Sequence, residues 1–210
     1  MERELPRQHP WLVPLARLFA KPLFFLLGPL VVSGAYRVPR KGGLLVLANH
    51  QADIDPAVVQ AACPRRVYFM AKSELFEMRA VGKAIRWFRA FPVKRGEPDR
   101  TAIKTAAAYA KAGEAVGIFP EGQLSEDGEL QPLKAGAALI VRMAGVPVIC
   151  LGLRDTNRIL PFGKLIPRPA FRRVYARWGE VRTFTKDDSA ETILGWIEGQ
   201  FRELTEAGGA

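Results

Sequence analysis

The sequence predicts an α/β fold: a largely parallel central sheet flanked by helices, preceded by an N-terminal interfacial two-helix segment. Three observations predict it. Short apolar runs at residues 43–48, 67–70, 115–119 and 146–153 have the length and composition of buried strands. They alternate with stretches of helical character, the rhythm that lays parallel strands side by side under helices. Finally, the first run stops at a polar cluster, Asn49-His50-Gln51-Ala52-Asp53-Ile54-Asp55, where a strand of an open sheet delivers side chains to a crevice.

In chain order, residues 11–36 are rich in Leu, Phe and Trp, with a charge-free span of 15 residues from Pro22 to Tyr36. That span is shorter than the roughly 20 residues a crossing helix needs, and Pro29 interrupts it. With Arg17 and Lys21 interspersed, it fits a pair of short helices lying in the membrane interface. A buried core helix and a secretory signal fit less well, because the prolines suit neither and Glu2 and Glu4 spoil a basic leading region. The expected division is therefore residues 1–36 as membrane-interface helices and residues 37–210 as one domain.

From Arg37 the chain runs into the polar cluster. Asp55-Pro56 then resembles a helix cap with Pro at the first helical position, opening a helix near residues 56–62. A strand at 67–70 follows. Ser73 and Glu74 open a helix through Arg89, with Arg79, Lys83 and Arg86 on one face. Residues 91–96 are short and extended, and Pro98-Asp99-Arg100 starts an Ala-rich helix to about Ala112. The strand at 115–119 ends in Pro120-Glu121-Gly122; a helix over 135–144 and a strand over 146–153 continue the alternation. Further strands are expected around 173–178, with a closing helix near 190–204.

Composition narrows the function. The two cysteines, Cys63 and Cys150, and the two histidines, His9 and His50, have no metal-site spacing, so no metal is expected. Both cysteines sit among apolar neighbours and read as buried reduced thiols. The net charge of +10 favours a polyanionic partner surface, and the apolar N-terminal segment points to an anionic membrane rather than nucleic acid. Nucleic-acid binding calls for cations interleaved with exposed aromatics, whereas here the cations are scattered. The expected location is membrane-associated, peripheral or monotopic, on the cytoplasmic face.

The His50 loop carries the chemistry. Asp55 can accept a hydrogen bond from one imidazole nitrogen of His50 and leave the other to take a proton. The alternative is that Asp55 only caps a helix and His50 only fills a loop. Later segments weigh against that alternative. Residues 49–55, Phe91-Pro92-Val93-Lys94-Arg95, Phe119-Pro120-Glu121-Gly122-Gln123-Leu124-Ser125 and Val146-Pro147-Val148-Ile149 resemble, in order, the four blocks of the glycerolipid acyltransferases. The apolar segment ahead of them is similar to the two-helix anchor of bacterial members.

The resemblance implies transfer of a fatty acyl group from an acyl thioester, on coenzyme A or acyl carrier protein, to a hydroxyl of a membrane lysophospholipid, with no cofactor beyond the donor. It implies His50 and Asp55 as the catalytic pair. Asn49, Lys94, Arg95, Phe119, Pro120, Glu121 and Gly122 would form the substrate site, Arg95 pairing with a phosphate and Glu121 holding glycerol hydroxyls. Lys94, Lys134 and backbone N–H groups are candidates for stabilising the oxyanion. An alcohol needs a base to become nucleophilic, whereas a thiolate, whose conjugate acid has a pKa of about 8.5, leaves readily. No Gly-x-Ser-x-Gly elbow is present, so direct attack by the acceptor is expected in place of an acyl-enzyme.

The chain departs from the pattern at Ala52, where the family usually has Ser, and at Gln123-Leu124, where it usually has Thr-Arg. These departures bear on the acceptor: 1-acylglycerol-3-phosphate leads, and another lyso-lipid is the alternative. A thioesterase and a non-catalytic basic protein are the rivals.

Overall fold

The protein is described by a computed structural model over residues 22–87, 90–93, 99–164 and 166–206. Its strands are β1 (Leu30–Ser33), β2 (Leu44–Ala48), β3 (Val67–Lys72), β4 (Phe91–Val93), β5 (Ala115–Ile118), β6 (Val148–Arg154) and β7 (Val174–Arg182). Its labelled helices are α1 (Asp55–Ala62), α2 (Arg79–Trp87), α3 (Arg100–Lys111), α4 (Ala135–Ala144), the single turn α5 (Thr156–Ile159) and α6 (Ala190–Glu206). The strands form one seven-stranded sheet in the order β1-β7-β6-β2-β5-β3-β4. Every neighbouring pair is parallel except β6 with β7.

Central β2 explains why its sequence is apolar without alternation. Leu44, Val46 and Ala48 pack on one face with Val58 and Val59 of α1, while Leu45 and Leu47 pack on the other with residues of α3, α4 and α6. All five β2 residues are buried, and such burial contributes about 1.5–3 kcal/mol for each large aliphatic side chain. The strand is therefore a rigid base for the loop that follows it. Helix α3 starts where expected, because Asp99 caps it by accepting from the backbone N–H of Thr101 at 3.0 Å and of Ala102 at 2.9 Å.

Two expected elements differ. The helix read over residues 73–89 is divided into a 3-10 turn, Ser73–Phe76, and α2. The turn is tied back onto α2: Arg86 Nη2 donates to the Phe76 carbonyl at 3.0 Å and the guanidinium lies 5.3 Å over the Phe76 ring. The second difference is at the N-terminus. Residues 1–21 of the expected interfacial segment lie outside the described residues, and residues 22–27 are helical. Leu30–Ser33 is the edge strand β1, paired with β7 from Leu30↔Val174 to Ser33↔Arg177. Its apolar character serves the sheet, so the sheet begins before residue 36. No helix among the described residues is long and apolar enough to cross a membrane.

Candidate active site

Beyond Ala48 the chain leaves the sheet, and Asn49 takes the place of one more strand pairing. Its Nδ2 donates to the Leu153 carbonyl at 3.0 Å and its Oδ1 accepts the Leu153 N–H at 2.7 Å, an amide bridge to β6. The side chain expected to bind substrate thus has its amide engaged with the sheet, 3% exposed.

His50 is held at four points. Its backbone N–H donates to Glu121 Oε1 at 2.7 Å, and its carbonyl accepts the Ser125 N–H at 2.9 Å. The ring stacks on Phe119, with centroids 4.0 Å apart and planes 17° apart. Nδ1 lies 3.0 Å from Asp55 Oδ2. That oxygen also accepts the backbone N–H groups of Gln51 at 2.6 Å and Ala52 at 2.8 Å. A carboxylate oxygen that gathers backbone donors in this way is an acceptor, so the Nδ1 proton points at it. Nε2 then carries the lone pair, and no described residue hydrogen-bonds it.

The cap reading of Asp55 does not hold. Asp55 is the first residue of α1, the residue before it is Ile54, and no side-chain hydrogen bond caps the helix. The carboxylate turns back to the loop, where the positive end of α1 favours its charge.

Glu121 is the residue whose place departs most from expectation. It is 1% exposed, with Oε1 on the His50 N–H and Oε2 on the Gln131 N–H at 2.8 Å. Both oxygens therefore brace backbone, each accepting one N–H. Burial pushes its carboxyl above the ordinary value, opposed by the N–H groups of Gln131 and His50. The turn that aims it is legible in residue types: Gly122 N–H donates to the Phe119 carbonyl at 3.0 Å, Pro120 supplies its fixed φ, and Gly122 sits at φ 69°. Just downstream, Gln51 Nε2 donates to the Gly128 carbonyl at 2.8 Å and Gln131 Nε2 to Asp127 Oδ1 at 3.2 Å. Sequence reasoning assigned no role to Gln51 or Gln131. The Gln51 partner is a backbone carbonyl 77 residues away and the Gln131 partner lies four residues away within the same loop, pairings that residue type does not announce.

Beside Phe119 opens a cleft of about 600 Å³ lined by Met70, Val93, Ile103, Phe119, Pro120, Gly122, Gln123, Lys134, Gly136 and Ile140, among others. Its walls are mostly aliphatic, with Lys134 at the rim. Phe119 belongs to both places, stacked on His50 and facing the cleft. Gly117 lets this ring system close up: a Cβ there would overlap the Phe69 ring, which itself stacks on Phe119 at 6.0 Å. Lys94 and Arg95 lie outside the described residues; Val93, which precedes them, lines the cleft.

Among the described residues no alternative nucleophile hydrogen-bonds the His50 ring. Ser125 Oγ donates to Asp127 Oδ1 at 2.8 Å and accepts the Gly128 N–H at 2.9 Å. Cys63 and Cys150 are buried, and burial pushes the Cys150 thiol up. No group of three His, Cys, Asp or Glu residues among the described residues is placed to hold a metal ion.

With this geometry in view, a family model described as acyltransferase matches residues 29–154. The chain belongs to the acyltransferase family. The match runs from β1 to the end of β6 and so takes in the His50 loop, the Glu121 turn and the cleft. The chain is 34% identical over 131 residues to the 1-acyl-sn-glycerol-3-phosphate acyltransferase of Bacillus subtilis, covering 61% of this chain and 64% of that one. It is 30% identical over 174 residues to the enzyme of that name from Streptococcus pneumoniae, covering 77% and 60%. These alignments span less than two thirds of the relatives' own length. The crystal structure of the 1-acyl-sn-glycerophosphate acyltransferase PlsC from Thermotoga maritima superposes with a TM-score of 0.79 at 25% identity, covering 94% of this chain and 81% of that one. The α/β architecture is thus that of an acyltransferase.

Proposed function

We propose that this family member transfers a fatty acyl group from an acyl thioester, on coenzyme A or acyl carrier protein, to a hydroxyl of a lysophospholipid, with 1-acylglycerol-3-phosphate as the leading acceptor. The observation that carries this reading is the His50 ring, oriented by Asp55 through Nδ1 at 3.0 Å while Nε2 is left without a hydrogen bond among the described residues. In the proposed reaction Nε2 removes the acceptor's hydroxyl proton as its oxygen attacks the thioester carbonyl. The tetrahedral intermediate collapses by breaking the carbon–sulfur bond. The thiolate leaves as the better leaving group and can take up the proton from the imidazolium. The Ser125 and Cys150 environments support direct transfer over an acyl-enzyme.

The cleft supports a place for an acyl chain, since an aliphatic wall rewards burial by about 0.8 kcal/mol for each methylene. Arg95 and Lys94 remain the proposed partners of the acceptor phosphate. The protein would work at the cytoplasmic face of the membrane as a peripheral or monotopic protein, drawing its acceptor from the bilayer and its donor from solution. The test is to incubate purified full-length protein with acyl-CoA and a panel of lysolipids and to follow thiol release. Release that depends on the lysolipid and yields a diacyl product is expected; acceptor-independent release would make the protein a thioesterase.

A further inference from the structure

The connection from α5 to β7 stands apart from the rest of the surface. From Thr156 to Gly179 the chain carries six cations and no acidic residue. Within it Phe162, Ile166 and Phe171 are 47%, 82% and 92% exposed. Phe171 is held at φ 53°, a conformation uncommon for a bulky side chain, and its ring is presented outward. Lys164, Arg168, Arg172 and Arg173 are exposed too, and none pairs with an acid among the described residues.

This connection packs on the end of the N-terminal apolar segment. The Ala170 N–H donates to the Leu27 carbonyl at 2.5 Å, and a Cβ on Gly28 would lie 3.2 Å from Ala170 Cβ. On that neighbouring segment Leu23, Phe25 and Leu26 are 50%, 75% and 72% exposed, while Phe24 points inward at 3%. Two separate pieces of chain therefore present apolar tips side by side. The register places them at the site end of the sheet: Arg154 pairs with Tyr175 just past the connection, next to Leu153, which Asn49 bridges.

We infer that residues 161–173 form a second membrane-contacting surface, inserting Phe162, Ile166 and Phe171 among the acyl chains of an anionic bilayer while the surrounding cations meet its lipid phosphates. Aromatic and aliphatic tips in a ring of Lys and Arg are the chemistry of interfacial insertion, and each cation strengthens attraction to an anionic leaflet. A nucleic acid would use the cations and leave the apolar tips in water. The consequence is orientational: two contacts fix a plane where one permits pivoting, and the plane holds the His50 end of the sheet toward the lipid. The inference is independent of the reaction at His50, and its test reads membrane contact rather than turnover.

The buried Cys63 and Cys150 allow a single introduced cysteine on the full-length chain to take an environment-sensitive fluorophore. A label on Phe171→Cys is expected to shift to the blue on vesicles of phosphatidylglycerol and phosphatidylcholine and to be quenched by brominated acyl chains. A label on Lys111→Cys, at the end of α3 and beside Gly43 at the start of β2, away from the site end of the strands, should stay aqueous. Arg168→Gln with Arg172→Gln should lower partition onto those vesicles by about tenfold or more. Phe162→Ser with Ile166→Ser and Phe171→Ser should do the same while melting as wild type, since all three are exposed. The inference is overturned if the label at 171 stays aqueous on vesicle-bound protein, if the label at 111 responds equally, or if both sets of variants partition as wild type.

Discussion

The backbone N–H of His50 donates to Glu121 Oε1 at 2.7 Å, across 71 residues of sequence, so a buried carboxylate sets where the His50 loop sits. Burial raises the Glu121 carboxyl above its ordinary 4.5. The sign follows from linkage: a folded-state value above the unfolded one gives stability that is full below 4.5 and is lost as pH rises through the raised value. Glu121→Gln cannot titrate. Urea unfolding over a pH series is expected to show wild type losing stability relative to the variant as pH rises from 4.5, and parallel curves would refute this. The amide also cannot accept both the His50 and Gln131 N–H groups, so turnover should fall about tenfold with little change in KM.

Asp55 holds His50 Nδ1 and two loop N–H groups on one oxygen, and this makes two expectations separable. His50→Ala should lower kcat by about 10² to 10⁴ with the fold intact by circular dichroism. Asp55→Asn should keep a carbonyl acceptor for the loop but place an uncharged group against the imidazole, with a loss of about 10³ in kcat. Near-normal acyl transfer by either variant would remove that residue from the mechanism.

The parts legible in the sequence are those written in local pattern. Leu44–Ala48 is apolar throughout because both its faces are covered, and Ala135–Ala144 carries the spacing of an amphipathic helix, so both were placed correctly. His50 and Asp55 are five residues apart across a strand-to-helix turn, and their pairing follows from that spacing. Asn49 with Leu153 and Glu121 with His50 join a side chain to the backbone of a distant segment. Backbone acceptors and donors carry no residue identity, and both side chains were therefore read as facing substrate. Leu30–Ser33 was read as membrane segment because an apolar edge strand and an apolar membrane segment have the same composition, and only its pairing with β7 distinguishes them.

The acceptor's head group is tested at residues 95 and 124. The family pattern has an Arg where Leu124 stands, next to Gln123 on the cleft wall. One cation in place of two forgoes a charge-assisted contact to phosphate of roughly 1.5–3 kcal/mol. Leu124→Arg is expected to lower KM for 1-acylglycerol-3-phosphate by about tenfold, and Arg95→Ala to raise it by a similar factor. Steady-state titration of that lipid against both variants is decisive, because silence at both positions would place the phosphate elsewhere.

The cleft makes the last expectation. Gly136 lies on its wall in the first turn of α4, and a Cβ there would come no closer than 3.7 Å to Ile103 Cδ1, so a larger side chain can enter the space without displacing backbone. Gly136→Phe should fill the cleft while leaving α4 at least as favourable as a helix, since Gly ranks below Phe in helix propensity. If the cleft receives the acyl chain, each methylene expelled forfeits about 0.8 kcal/mol of burial, or nearly fourfold in kcat/KM. Long-chain acyl-CoA should therefore lose on the order of 10² in kcat/KM while a short-chain donor that never reaches Gly136 is little affected. A chain-length series run on wild type and variant separates the possibilities: a uniform loss at every length would mean the substitution disturbs the His50 loop through Phe119, and an unchanged series would mean the acyl chain lies outside this cleft.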